Sequence, residues 1–316
     1  RIASVAFSCA VCVLALCSLA VLEHASATHC EQPRNHQERF NDLHLSTSVS
    51  QHCPSASGQK KITPVSSHQN SQHTYSVNSM DASAAQDLPA APAEEAKKHN
   101  LPNPVIPLSG DDWEHVYEPA EDTFLFMDAL QAELPDLRDS QPRIVLELGC
   151  GSGCVTAFLA SHLKGAAFFA SDINPHALQA AGKVFAANNV DVNLVGADLL
   201  SAWRAHGSID VLLFNPPYVP TPSEEISSSW IARAWAGGAR GREVVDRLFL
   251  HFHRYMAPGG RLYLVALDSN DPHEIAQLMA AKGFRTKVVK KRRAGIEFLL
   301  ILKIWKPLPA PTPTSP

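Results

Sequence analysis

The chain has 316 residues, 45% of them hydrophobic, with a net charge of -4. That is enough to bury the core of one large domain or two small ones, and the charge gives no global basic field of the kind that draws a protein to nucleic acid. Of seven cysteines, five precede residue 54, and Cys150 and Cys154 have no zinc-like partner pair. A chain this long does not depend on disulfide staples, so the globular part reads as a reduced intracellular enzyme without a metal site.

Residues 1–27 form an apolar leader: Ile2 to Leu22 carries no charge, Arg1 precedes it and "ASA" follows at 25–27. It resembles a signal peptide or membrane anchor. The first residue is Arg, not Met, so an artefact of the gene's assigned start weighs equally. Residues 28–109 are rich in Ser, His, Gln, Asn and Ala without a sustained period, and are expected to be disordered. Eight of the fifteen histidines fall before residue 100 with no ligand-like spacing, which fits a solvated polar tract. At the other end, 307–316 is a proline-rich tail.

Between 110 and 306, short β-rich runs alternate with helical patterns. "RIVLEL" (143–148), "AAFFASD" (166–172), "NLVGAD" (193–198), "IDVLLF" (209–214) and "GRLYLVAL" (260–267) read as strands, with helical stretches after most of them. Asp271 and Pro272 fit an N-cap and the first helical position. "FRTKVVKK" and "IEFLLILKIW" flank a turn at Ala294–Gly295 and read as an antiparallel hairpin. Alternating strands and helices, with near-continuously apolar strands, predict an α/β domain with a mostly parallel sheet covered on both faces.

Three strand ends carry acids. "LELGCGSGCVT" (146–156) is strand, glycine loop and helix, with Gly149, Gly151 and Gly153 free to turn tightly. The spacing is G-x-G-x-G, not the dinucleotide G-x-G-x-x-G, and Glu147 just ahead of it would repel a phosphate. A cofactor bearing an ammonium and a sulfonium fits better. Asp172 ends the second strand, where a carboxylate can accept from two ribose hydroxyls; a helix cap is its plain structural role. Asp198, with Leu199 beside it, could accept from an adenine amino group, and it too could be a cap.

The fourth strand runs into "NPPY", Asn215 to Tyr218. The Asn215 amide oxygen and the Pro216 carbonyl can take the two N–H groups of a planar nitrogen, Pro217 stiffens the backbone, and Tyr218 can pack on the plane. With the upstream loop, this constellation resembles class I S-adenosylmethionine-dependent methyltransferases. "VYEPAEDTFLFMDAL" (116–130) and "WAGGARGREVVDRLF" (235–249) narrow the resemblance to the HemK family of protein glutamine N5-methyltransferases, in its eukaryotic and archaeal release-factor branch.

The resemblance covers about 110–306 and implies a Rossmann-like, seven-stranded sheet closed by the hairpin. It implies S-adenosylmethionine contacts at Thr123, Glu147, Gly149, Gly151, Gly153, Asp172, Asp198, Leu199 and Asn215. It also implies capture of the substrate amide by Asn215, Pro216, Pro217 and Tyr218, with Asn215, Pro216 and Tyr218 catalytic. The implied substrate is the glutamine of a Gly-Gly-Gln motif in a class I release factor. The implied partner is a small zinc-binding activator subunit, without direct nucleic-acid specificity, and the implied location is cytoplasmic, extending to the nucleus. Only a genuine leader would add secretory, organellar or membrane targeting.

The same pocket logic admits N6-adenine methylation, and behind it lysine methylation or a non-catalytic binding module. Net negative charge and the lack of a base-reading domain count against adenine. Arg285 to Arg293 holds six basic residues, read either as a solvated hairpin with gatekeeper charges or as a contact for RNA or an acidic surface.

Overall fold

The computed structural model describes residues 101–308. The leader, most of the tract expected to be disordered and residues 309–316 of the tail lie outside the described residues.

Seven strands form one sheet in the order β3-β2-β1-β4-β5-β7-β6. They are β1 (Ile144–Leu148), β2 (Ala167–Asp172), β3 (Val192–Gly196), β4 (Ile209–Phe214), β5 (Met256–Leu267), β6 (Arg285–Ala294) and β7 (Glu297–Trp305). The first five pair in parallel, while β7 runs antiparallel to both β5 and β6. The expected hairpin is present, with its second strand inserted between β5 and the edge. β5 begins four residues earlier than the apolar run suggests, because Met256 already pairs with Ile209 across a register shift.

The helices are α1 (Gly110–Trp113), α2 (Glu121–Ser140), α3 (Cys154–His162), α4 (Pro175–Ala187), α5 (Glu243–Phe249) and α6 (Pro272–Ala280). Strand side chains alternate between the two faces. Val145, Val211, Leu213, Tyr263 and Ile301 join one core with Leu125, Leu130 and Phe158 of α2 and α3. Leu146, Leu212, Leu262 and Leu302 join the other with Val245, Leu248 and Ile275 of α5 and α6. Asp271 caps α6 as expected, accepting from the Glu274 N–H with Pro272 at the first position.

One boundary differs from the sequence reading. Residues 101–109, expected within the disordered tract, are packed against the domain. The Leu101 N–H donates to Gln131 on α2, and Val105 exchanges two backbone hydrogen bonds with the Asn188 side chain at the end of α4. Leu101 and Ile106 rest on the first core. Three prolines break any 2 or 3.6 period here, so order comes from tertiary contacts that no local pattern announces.

The α2 face also holds a buried polar cluster. Glu133 on α2 accepts from the Tyr263 hydroxyl at 2.8 Å and pairs with Lys303 of β7, while Lys287 of β6 stands at 3.5 Å. Burial alone would raise the Glu133 carboxyl, but Lys303 and Tyr263 hold it below its ordinary range. The cluster pins α2 over β5, β7 and β6. Its stabilisation is complete above the ordinary value of 4.5 and is lost as pH falls through the lowered folded value. Lys303→Met should therefore cost about 3 kcal/mol, because a buried charge is stranded. Denaturant unfolding should show much of that recovered in a Glu133→Leu/Lys303→Met double variant.

Candidate active site at the carboxyl ends of the strands

The carboxyl ends of β1, β2 and β4 open onto a cavity of about 200 Å³. Its wall includes Thr123, Glu147, Gly149, Gly151 and Asp172, and further round Asp198, Leu199, Asn215 and Pro217. Those residues, expected together from the sequence, do converge. Gly153, Pro216 and Tyr218 do not line it.

The three loop glycines have positive φ, at 60°, 52° and 77° for Gly149, Gly151 and Gly153. Only glycine takes such values without strain, and the surroundings separate their roles. A Cβ on Gly151 would meet nothing within 4 Å. A Cβ on Gly153 would lie 2.8 Å from the Phe185 ring and 2.9 Å from Ala181. Gly153, expected to contact cofactor, instead lets the start of α3 pack against α4.

Glu147 is only 2% exposed and points at α3, where it accepts from the Thr156 N–H at 3.0 Å and from the Thr156 hydroxyl. Burial pushes its carboxyl up to about 8, against the pull of Thr156 and with a push from Asp172. Asp172 accepts from the Gly151 N–H at 2.9 Å and the Asn174 N–H at 2.8 Å. Burial raises it, and those N–H bonds pull it partly back. It does not cap α4: Asn174 does, accepting from the His176 N–H. Asp198 pairs with Arg247 of α5 across the cavity rim. Burial also drives the thiols up, Cys150 well above the ordinary value and Cys154 to about 12, so both are neutral packing groups.

Asn215 shows the feature that sequence reasoning missed. Its Nδ2 donates to Asp122 at 3.0 Å, and the Tyr218 hydroxyl donates to the same carboxylate oxygen at 3.1 Å. The other oxygen of Asp122 accepts from the Thr123 N–H. A carboxylate only accepts, so the Asn215 NH₂ must face it. The Asn215 Oδ1 is thereby turned away, and it is buried with no partner among the described residues. Tyr218 does not offer its ring to the cavity as expected. It lies in the core beneath, orienting Asp122. Asp122 stood in view within "EPAEDTF", but nothing local distinguishes it from Glu121.

After "NPPY" the chain loops out over 219–236 and returns. Val219 bridges to Ala236, and the Gly237 N–H donates to the Val219 carbonyl. The loop brings Trp230 and Arg233 to the cavity, the guanidinium 5.5 Å from the indole centroid. The returning "GGARG" packs directly on the motif's backbone: a Cβ on Gly237 would lie 2.6 Å from the Pro217 carbonyl, and one on Gly241 2.1 Å from that of Tyr218. Asn270, after β5, donates to the carbonyls of Tyr218 and Arg240. Buried Arg242 holds this assembly to α6 through Glu274.

Gly241→Ala should therefore destabilise by more than about 2 kcal/mol, adding overpacking to left-handed strain. Gly151→Ala carries the strain alone and should cost about 1 kcal/mol in the same denaturant titration.

Residues 122–297 match the family model described as Methyltransferase small domain. The chain is 44% identical over 194 residues to Methyltransferase HEMK2 of Homo sapiens, covering 60% of this chain and 90% of that protein. It is 38% identical over 211 residues to the eRF1 methyltransferase catalytic subunit mtq2 of Schizosaccharomyces pombe, covering 62% and 91%. Among solved structures, the Mtq2–Trm112 complex of E. cuniculi, responsible for methylation of the eRF1 translation termination factor, is similar at 33% identity, covering 61% of this chain and 99% of that one, with a TM-score of 0.48. With over half its length matched by the family model, and relatives of this identity covered nearly end to end, the chain belongs to the methyltransferase small domain family, on its HemK branch.

Proposed function

We propose that the protein transfers a methyl group from S-adenosylmethionine to the side-chain nitrogen of the glutamine in a Gly-Gly-Gln motif of a class I peptide-chain release factor. The observation that carries this is the Asn215 Oδ1 just after β4, buried and without a partner among the described residues, on an amide whose Nδ2 is held by Asp122 and whose side chain lines the cavity. Such an atom costs stability unless something donates to it, and a primary amide N–H is a donor of matching geometry. The naming of relatives as eRF1 methyltransferase and release factor glutamine methyltransferase supports glutamine as that amide.

The chain's donor set suits the cofactor. Three carboxylates at successive strand ends match an ammonium, a ribose diol and an adenine amino group, and Gly151 leaves its side of the loop open. When bound, S-adenosylmethionine would supply an electrophilic sulfonium methyl, its sulfur keeping the C–S electron pair on transfer. Asn215 Oδ1 accepts one amide N–H and holds the nitrogen, while the Pro216 carbonyl, expected as the second acceptor, lies off the cavity wall. An amide lone pair is delocalised, and a fixed acceptor favours its localisation toward the methyl. The excess proton leaves for water afterwards, so no base is needed. Asp122 and Tyr218 are positioning residues, acting through Asn215. Glu147, Asp172, Asp198 and Thr123 bind cofactor. Arg247 must exchange Asp198 for the ligand or share it. A small zinc-binding activator subunit is the partner, and the cytoplasm, where release factors act, is the location.

Labelled methyl should pass to a release factor, more efficiently with the activator subunit present, and disappear when the Gly-Gly-Gln glutamine is replaced. Labelling of a bare oligonucleotide with none on protein would move the substrate to adenine. Asn215→Ala should lower kcat by about 100-fold or more while leaving cofactor affinity nearly unchanged. Asp122→Asn, which lets the amide turn over, should lower kcat by about tenfold.

Glu147 provides a test without turnover. With its carboxyl at about 8, it is mostly protonated at pH 7 in the free protein. A bound ammonium would pull it down and expel about one proton. Calorimetry in buffers of different ionisation heat should detect that release, and Glu147→Gln should abolish it. Binding without proton release would remove Glu147 from the ammonium site.

A further inference from the structure

The acids on the cavity wall answer the ammonium, the ribose diol and the adenine amino group of S-adenosylmethionine, but not its one anion. With Glu147, Asp172 and Asp198 in those roles, the methionine carboxylate has no counter-charge. The wall is hostile to it: three acids line the cavity, and buried Asp122 stands behind Asn215. A carboxylate brought there needs a cation. The Thr123 hydroxyl, which already donates to Asp122 at 3.3 Å, cannot neutralise one.

Two guanidiniums line the cavity, and they differ. Arg247 is neutralised by Asp198. Arg233 makes no ion pair and no side-chain hydrogen bond among the described residues, although Glu224 and Glu225 belong to the same loop. Its guanidinium lies over the Trp230 ring instead. A 3₁₀ turn at Ala232–Ala234 sets residues three apart on one side, which brings the two together. A ring attracts the charge but gives the N–H fork no oxygen. At an open surface water would serve those donors. Arg233 is half-buried on the wall of a cavity that a cofactor would fill, displacing such water.

Strand order puts Arg233 at the matching end. β3, β2 and β1 lie side by side, so the groups answered by Asp198, Asp172 and Glu147 follow one another across the sheet, adenine first and ammonium last. The next strand in that direction is β4. The loop over 219–236 follows it, closed at its root by the Val219–Ala236 bridge, three residues after Arg233. Carboxylate and ammonium are borne by one carbon of the cofactor, so the anion also belongs at the end where β1 meets β4.

We propose that Arg233 binds the carboxylate of S-adenosylmethionine, with Trp230 holding the guanidinium ready at the β4 end of the cavity. This rests on the cofactor reading above. The test is calorimetric binding of S-adenosylmethionine and of its decarboxylated analogue to wild type, Arg233→Met and Arg233→Lys. Met keeps an apolar stem against Trp230 and removes only the charge and donors. Wild type should bind the analogue about tenfold more weakly than S-adenosylmethionine. Arg233→Met should bind S-adenosylmethionine about tenfold more weakly than wild type does, with the Kd for the analogue unchanged, so the preference disappears. Arg233→Lys should recover part of it. A role confined to holding the loop would weaken both ligands alike. That result, a wild type without preference, or an Arg233→Met variant that keeps the wild-type ratio overturns the assignment and leaves the cofactor reading intact. An Arg233→Met variant with both Kd values unchanged and a raised KM for release factor also overturns it, moving Arg233 to the protein substrate. A wild type that binds neither ligand overturns the cofactor reading and the assignment with it.

Discussion

One carboxylate organises the catalytic end of this domain. Asp122 is 4% exposed and accepts four hydrogen bonds, from Asn215, Tyr218 and, twice, Thr123. A buried anion survives only when so satisfied, and the consequence is directional. Because Asp122 can only accept, it selects one of two nearly isosteric orientations of the Asn215 amide, and with it the identity of the atom left for a ligand. The motif "NPPY" therefore contains an acceptor only in the presence of a residue 93 positions earlier in the chain.

That dependence explains where the remaining precision goes. Asn215 needs its backbone fixed as firmly as its side chain, and the frame comes from downstream. Gly237 and Gly241 press against the carbonyls of Pro217 and Tyr218 at distances no side chain would permit. Asn270 and Arg242 then tether that turn to the end of β5 and to α6. On the opposite side, α2 is held at a definite rotation by Glu133, Tyr263 and Lys303, so that Asp122 and not its neighbour meets the site. Two polar networks, one on each face of the sheet, converge on one amide.

What could be read in the sequence follows the same division. Strands β1, β2 and β4 were legible because apolar runs ending in Gly, Asp and Asn leave little choice of structure or of ligand edge. Glu147, Asp172, Asp198 and Asn215 were legible as a set because the strand ends of an open α/β sheet share one side. Asp122 was not, since choosing between adjacent acids requires the helix's rotation, which long-range contacts decide. Tyr218 was misassigned to the cavity for a related reason: after two prolines its direction is a matter of backbone geometry, not of residue type. Gly153 shows the reverse error, a glycine of the expected motif whose need for space comes from Phe185 and not from a ligand. The packed segment 101–109 was missed because prolines erase periodicity while leaving burial possible.

The antiparallel pair at the sheet's edge had a legible existence and an illegible position. Sequence adjacency makes β6 and β7 a hairpin, yet only the tertiary fold puts β7 against β5 and β6 outermost. That order has a physical logic. β7 is almost wholly apolar and needs both faces covered, which an inner position provides; β6 carries six cations, four of them consecutive, and tolerates an edge. Lys303, the one charge facing the core from β7, must then find Glu133 at depth, and in doing so it locks α2. Antiparallel passage also returns the turn to the ligand edge of the sheet, because β7 starts where β5 ends. The same swap that buries the apolar strand thus leaves the basic one at the sheet's edge, with its turn on the side where the parallel strands end.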